Sequence, residues 1–165
     1  PILFLGVGLA LGWIEPSPHV LLNEGIQARD RGDFAVAADR LRRAMASAPA
    51  SGAAEQAAYY LGTLPYLQGD MEGTIRAFEA MVHAYPTSPF VPEGYYHIGV
   101  AWQRLNRRQE ARSALELVRD RFAESAWAKY AQDRLAELDA TVAAAGRGQA
   151  ELRRESTGPG SRPPS

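Results

Sequence analysis

Between about residue 17 and residue 143 the apolar side chains recur every three or four positions, in blocks the length of a short helix. The blocks are separated by Gly, Asp, Asn and Pro. This spacing predicts amphipathic helices rather than strands. The expected helices span about 17–30, 33–47, 52–68, 70–84, 90–105, 107–122 and 125–143. Their ends carry matching turn chemistry. Asp33, Asp70 and Asn106 stand where an N-cap is wanted, and Gln109 follows Asn106 by three residues as in a capping box. Pro49 and Pro86 close the second and fourth helices. Ser88-Pro89 reads as an N-cap followed by proline at the first helical position. Pro65 falls late in the third helix, where the missing N–H predicts a mild kink or a free carbonyl at Leu61.

A longer period lies over the helical one. Gly25, Gly62 and Gly99 are 37 residues apart. Gly32-Asp33-Phe34, Ala37, Leu41, Ala44 and Pro49 follow the first. Gly69-Asp70-Met71, Thr74, Phe78, Met81 and Pro86 follow the second. Asn106, Ala111, Leu115, Val118 and Ala123 follow the third at the same offsets. A period of this size carrying two helical patterns predicts stacked helix pairs, each unable to bury its apolar face alone. The glycines let the first helix of a pair approach the second. Ala37, Thr74 and Ala111 are expected to face them, with Phe78 and Leu115 filling the space between pairs.

Both ends differ from this body. Ile2–Ile14 is an uncharged apolar run, ILFLGVGLALGWI. It is shorter than the roughly 20 residues of a membrane span. It reads as part of an N-terminal transmembrane anchor over residues 1–14, the alternative being the apolar core of a signal peptide. Trp13 suits a membrane interface, and no A-x-A-like cleavage site precedes Glu15. No basic residue follows before Arg29, which predicts an exported downstream domain. Glu15-Pro16-Ser17-Pro18 reads as a spacer over 15–18. Residues 144–165 are rich in Gly, Pro, Ser and Arg, and predict a flexible tail.

The pattern of Gly, small, large apolar, apolar and Pro resembles the tetratricopeptide repeat. The likeness covers repeats at about 18–50, 55–87 and 92–124 and a cap at 125–143, within a domain of 19–143. Tyr85-Pro86-Thr87-Ser88-Pro89 and Tyr95-Tyr96-His97-Ile98-Gly99 are similar to segments of bacterial envelope proteins of this class. Those include the periplasmic coordinator of the Tol–Pal system and the repeat-containing lipoprotein of outer-membrane protein assembly. This chain departs from the latter in having no lipobox Cys and carrying an apolar run instead. The resemblance implies an all-α, right-handed superhelical solenoid of about three helix pairs plus a capping helix, preceded by an apolar membrane-anchor helix. It also implies a concave groove for partner proteins, lined by the first helices. By position that groove takes Leu22, Ile26 and Arg29 from repeat 1; Tyr59, Thr63 and Tyr66 from repeat 2; and Tyr96, Val100, Gln103 and Arg104 from repeat 3. In Tyr59-Tyr60 and in Tyr95-Tyr96, one ring of each pair is expected to face the core and the other the groove.

Composition narrows the chemistry. The net charge is −1 and the basic residues are scattered, so nucleic acid is not an expected partner. There is no Cys. His19, His83 and His97 occupy different helices and form no i, i+4 ligand pair; each reads as a packed or surface residue. No Gly-rich phosphate loop is present. Arg107-Arg108 reads as a turn surface. The expectation is therefore a non-enzymatic, membrane-anchored scaffold in the bacterial envelope. It binds protein partners without a cofactor or metal, and its repeat domain is periplasmic. The alternative is an accessory subunit of a large integral-membrane complex (respiratory, photosynthetic or translocation), in which Gly6, Gly8 and Gly12 suit close helix packing in lipid.

Overall fold

The computed structural model describes residues 16–156. Seven helices follow one another among these residues: α1 Pro18–Asp30, α2 Phe34–Ser47, α3 Gly52–Leu67, α4 Met71–Ala84, α5 Val91–Arg104, α6 Arg108–Arg121 and α7 Ala126–Ser156. No strand occurs among the described residues. The apolar run 2–14 lies outside them. No helix among them is long and apolar enough to cross a membrane. The chain divides within α3 into two compact units, one ending at Ala57 and the other starting at Ala58.

In the first unit α1 packs on α2. Ser17 caps α1, its Oγ accepting from the Val20 N–H at 3.4 Å, and Pro18 takes the first helical position. The expected spacer 15–18 thus ends as a Ser-Pro helix start. Gly25 brings the helices together: a Cβ there would come within 2.8 Å of Leu41 Cδ2. Leu21, Ala28, Ala37, Leu41 and Ala44 are buried.

In the second unit the same construction recurs twice. A Cβ on Gly62 would lie 2.9 Å from Phe78 Cδ1, and one on Gly99 would lie 2.8 Å from Leu115 Cγ. The glycines therefore meet the large apolar residue of their own pair, not chiefly the small one. Phe78 and Leu115 fill the space inside a pair as well as beyond it. Ala111, Leu115 and Val118 of α6 form a buried cluster with Ala131, Leu135 and Leu138 of α7. Each such Leu or Phe contributes roughly 1.5–3 kcal/mol by burial.

The turns inside the three pairs close alike. The N–H of Asp33 donates to the Ala28 carbonyl, that of Asp70 to Pro65, and that of Arg107 to Trp102, each at 2.9 Å. The residue before each closing amide has positive φ: Gly32 at 82°, Gly69 at 78° and Asn106 at 59°. This is the left-handed helix ending. Asn106 is thus the counterpart of the two glycines, and the expected cap and capping box at Asn106 do not form. Asn reaches this conformation more readily than other residues with a Cβ. Arg107 precedes α6 without a side-chain cap. Asp70 does cap α4, accepting from the Gly73 N–H at 2.7 Å. Asp33 does not cap α2. Its carboxylate turns to Arg31, 3.3 Å away. Pro65 stands where its carbonyl accepts the closing bond, and α3 runs through it to Leu67.

Two further expectations shift. Ser88-Pro89 forms a turn, with Ser88 Oγ accepting from the Phe90 N–H at 3.3 Å; α5 begins at Val91 with Pro92 in its first turn. The capping helix does not stop at 143, since α7 continues to Ser156 through much of the expected tail. Gln149, Ala150, Glu151, Leu152 and Arg153 are helix formers. Gly146 and Gly148 each cost about 1 kcal/mol relative to Ala, too little to end a helix that is already nucleated. Residues 157–165 lie outside the described part.

Candidate protein-interaction face

Three helices of the second unit supply one aromatic face. On α3, Tyr59 and Tyr66 are two turns apart. On α5, Glu93, Tyr96, His97 and Arg104 fall at helical spacing. On α7, Trp127, Tyr130 and Arg134 follow at i, i+3 and i+7.

Tyr59 links α3 to α5. Its hydroxyl donates to Glu93 Oε1 at 2.5 Å, and its ring stacks on Phe90 at 5.0 Å. His97 stands among the rings. It lies parallel to Phe78 at 5.0 Å, meets Tyr66 edge-on at 5.3 Å and is 6.1 Å from Trp127. Its Nε2 is 3.8 Å from Glu93 Oε1, and its buried Nδ1 has no hydrogen-bond partner. Towards α7, Tyr96 is 4.9 Å from Trp127, which is 5.3 Å from Tyr130. Tyr130 is 54% exposed, so this cluster opens to solvent.

Two guanidinium groups border the rings, and one lies over a ring. Arg104 sits 4.5 Å above the Tyr66 ring, in cation–π geometry. Arg134 stands beside the Tyr96 hydroxyl and donates from Nη1 to Glu137 Oε2 at 2.8 Å. Tyr96 first, with Glu137 adding to it against partial burial, holds the guanidinium above its ordinary value. Arg104 is positioned by the Tyr66 ring and Arg134 by Glu137, which lowers the side-chain entropy lost when they engage a partner.

The residues expected to line a groove separate into groups. Tyr59, Tyr66, Tyr96 and Arg104 come together here. Thr63 is half-buried and its hydroxyl donates to the carbonyl of Tyr60 at 2.7 Å, within its own helix. Gln103 is half-buried beside Arg104. Val100 is 5% exposed and belongs to the core, because its side of α5 is packed. Leu22, Ile26 and Arg29 belong to the first unit. Leu22 is 3% exposed there, so it offers a partner no surface, and Arg29 pairs with Asp30 at 2.6 Å. The two rings of Tyr95-Tyr96 diverge, Tyr95 towards Phe122 at 6.2 Å and Tyr96 towards Trp127, and both are half-buried against the same α6–α7 cluster. Tyr59 and Tyr60 instead touch each other at 5.2 Å, and both are half-buried.

His97, Trp127, Tyr130 and Arg134 are additions to the expected site. The spacing of the last three on one helical face is the signal the sequence offers for them. Among the described residues no three His, Asp or Glu side chains gather as metal ligands.

No curated protein sequence matches the chain. Residues 15–147 match the YfiO family, described as outer membrane lipoprotein, and so span all three helix pairs and most of α7. With its glycine-spaced helix pairs and its Tyr-Pro-x-Ser-Pro link, this bacterial envelope repeat protein belongs to the YfiO outer membrane lipoprotein family.

Proposed function

We propose that the protein is an adaptor of the bacterial envelope that binds another envelope protein on the aromatic face of α3, α5 and α7. The observation that carries this reading is the open cluster of Tyr96, Trp127 and Tyr130, with Arg134 beside Tyr96 and Arg104 over the neighbouring ring of Tyr66. Tyr, Trp and Arg dominate interface hot spots because each offers large contact area with a polar end. The family's description supports an envelope location. The repeat domain faces the periplasm in this reading, and membrane attachment runs through the apolar residues Ile2–Ile14. The reading includes no catalytic step and no cofactor.

A photo-crosslinking residue placed at position 130 in native cells tests the face. Position 36, where Val36 is 48% exposed in the first unit, serves as the control. A partner protein captured from 130 and not from 36 supports the reading. Equal capture at both positions, or none at 130, contradicts it.

A further inference from the structure

The charged side chains of the aromatic face are matched by one another, with one exception. Glu93 accepts the Tyr59 hydroxyl and faces His97 Nε2 at 3.8 Å. Arg134 and Glu137 pair at 2.8 Å. Arg104 is the exception. It is exposed, and its contacts are the Tyr66 ring and the Met71 sulfur, 3.9 Å from Nη1. No carboxylate among the described residues pairs with it.

Arg104 is joined to the open end of the face by an unbroken run of rings. Tyr130 and Trp127 are 5.3 Å apart, and Trp127 and Tyr96 are 4.9 Å apart. Tyr96 lies 6.0 Å from His97, and His97 lies 5.3 Å from Tyr66. From Tyr96 to Arg104 the helix α5 rises about 12 Å. A segment lying on Tyr96 and Trp127 therefore reaches Arg104 within a short stretch.

The guanidinium is prepared for an anion. The ring of Tyr66 holds it in place and keeps water from one side, and both effects strengthen an ion pair. Its planar fork matches a carboxylate in a two-bond pair. An aromatic surface alone accepts many apolar segments. A cation at one end of it, with no carboxylate of its own, favours a segment that brings one.

We propose that the segment bound on the aromatic face carries an Asp or Glu whose side chain pairs with Arg104. That acidic residue lies about 12 Å from the apolar residue laid on Tyr96 and Trp127. The spacing is about four positions in an extended segment and about eight in a helix. This names the partner's chemistry at the face already proposed, and it rests on that reading.

Photo-crosslinking from position 130 of the full chain in native cells, with the captured peptide sequenced, identifies the segment. Arg104→Gln then removes the cation. Arg104 is exposed, so the helical signal is expected to stay unchanged. Capture from position 130 is expected to fall about tenfold, as for an interface arginine. Arg104→Glu is expected to abolish capture, and replacing the partner's acidic residue by Arg in the same cells is expected to restore it. Undiminished capture with Arg104→Gln, no recovery on charge exchange, or a captured segment without Asp or Glu at the stated spacing would overturn the proposal and leave the aromatic face standing. No capture from position 130 with the wild-type chain would remove the face and this proposal together.

Discussion

The Tyr59 hydroxyl donates a 2.5 Å hydrogen bond to Glu93 Oε1, joining the first helices of two successive repeats. Glu93 is only 19% exposed at its side chain, so water replaces this donor poorly. Tyr59→Phe keeps the stack on Phe90 and removes the donor. A hydrogen bond to a charged group is worth about 1.5–3 kcal/mol, and the variant is expected to lose that much stability. The urea midpoint should fall while the slope of the transition stays unchanged. An unchanged midpoint would mean that the bond contributes nothing in solution.

Gly62 and Gly148 make opposite predictions for the same substitution. Gly62→Ala places a methyl 2.9 Å from the ring of Phe78, which is fully buried and has nowhere to move. Overpacking of this kind costs about 1–3 kcal/mol, against roughly 1 kcal/mol gained in helix propensity. Net destabilisation follows. Gly148 has nothing within 4 Å of its would-be Cβ. Gly148→Ala is therefore expected to stabilise the distal part of α7 by up to about 1 kcal/mol, read as slower amide exchange beyond Thr141.

Asn106 holds φ at 59°, in line with Gly32 and Gly69 at the other two turns. Asn106→Gly is expected to be neutral or slightly stabilising. Asn106→Val is expected to cost about 1–2 kcal/mol, because a β-branched residue strains in this conformation. Thermal unfolding of the pair of variants checks the order. Equal midpoints would show that the turn relaxes without cost.

Much of this architecture is legible in the amino-acid sequence. The 37-residue recurrence fixes the helix pairs because a glycine opposite a large apolar residue is a packing requirement that repeats with each pair. The six helices of the pairs fall within a residue of where the periodicity puts them, at both ends. The features that escape the sequence do so for physical reasons. Asn is favoured both as an N-cap and in the left-handed region, and at 106 the second role wins. Gly146, Gly148 and the nearby charges have the composition of a tail, while the helix formers around them carry α7 onward. The candidate face is half legible. Tyr59, Tyr66, Tyr96 and Arg104 follow from position in the repeat. Trp127, Tyr130 and Arg134 do not, because they stand on α7, outside the repeats, where the pattern predicts only a cap. His97 has no ligand pair to single it out, although its place among Phe78, Tyr66 and Trp127 puts it at the meeting of several helices.

The aromatic face is the central claim, and Tyr130→Ala tests it most directly. Tyr130 is 54% exposed, so its loss leaves the packed core alone. Wild-type and variant chains are purified side by side from native membranes in mild detergent, and their co-purifying proteins are quantified by mass spectrometry. The expected result is an envelope partner depleted about tenfold or more with the variant, as for a hot-spot residue, at unchanged helical signal. Equal recovery of every partner with both chains would contradict the account.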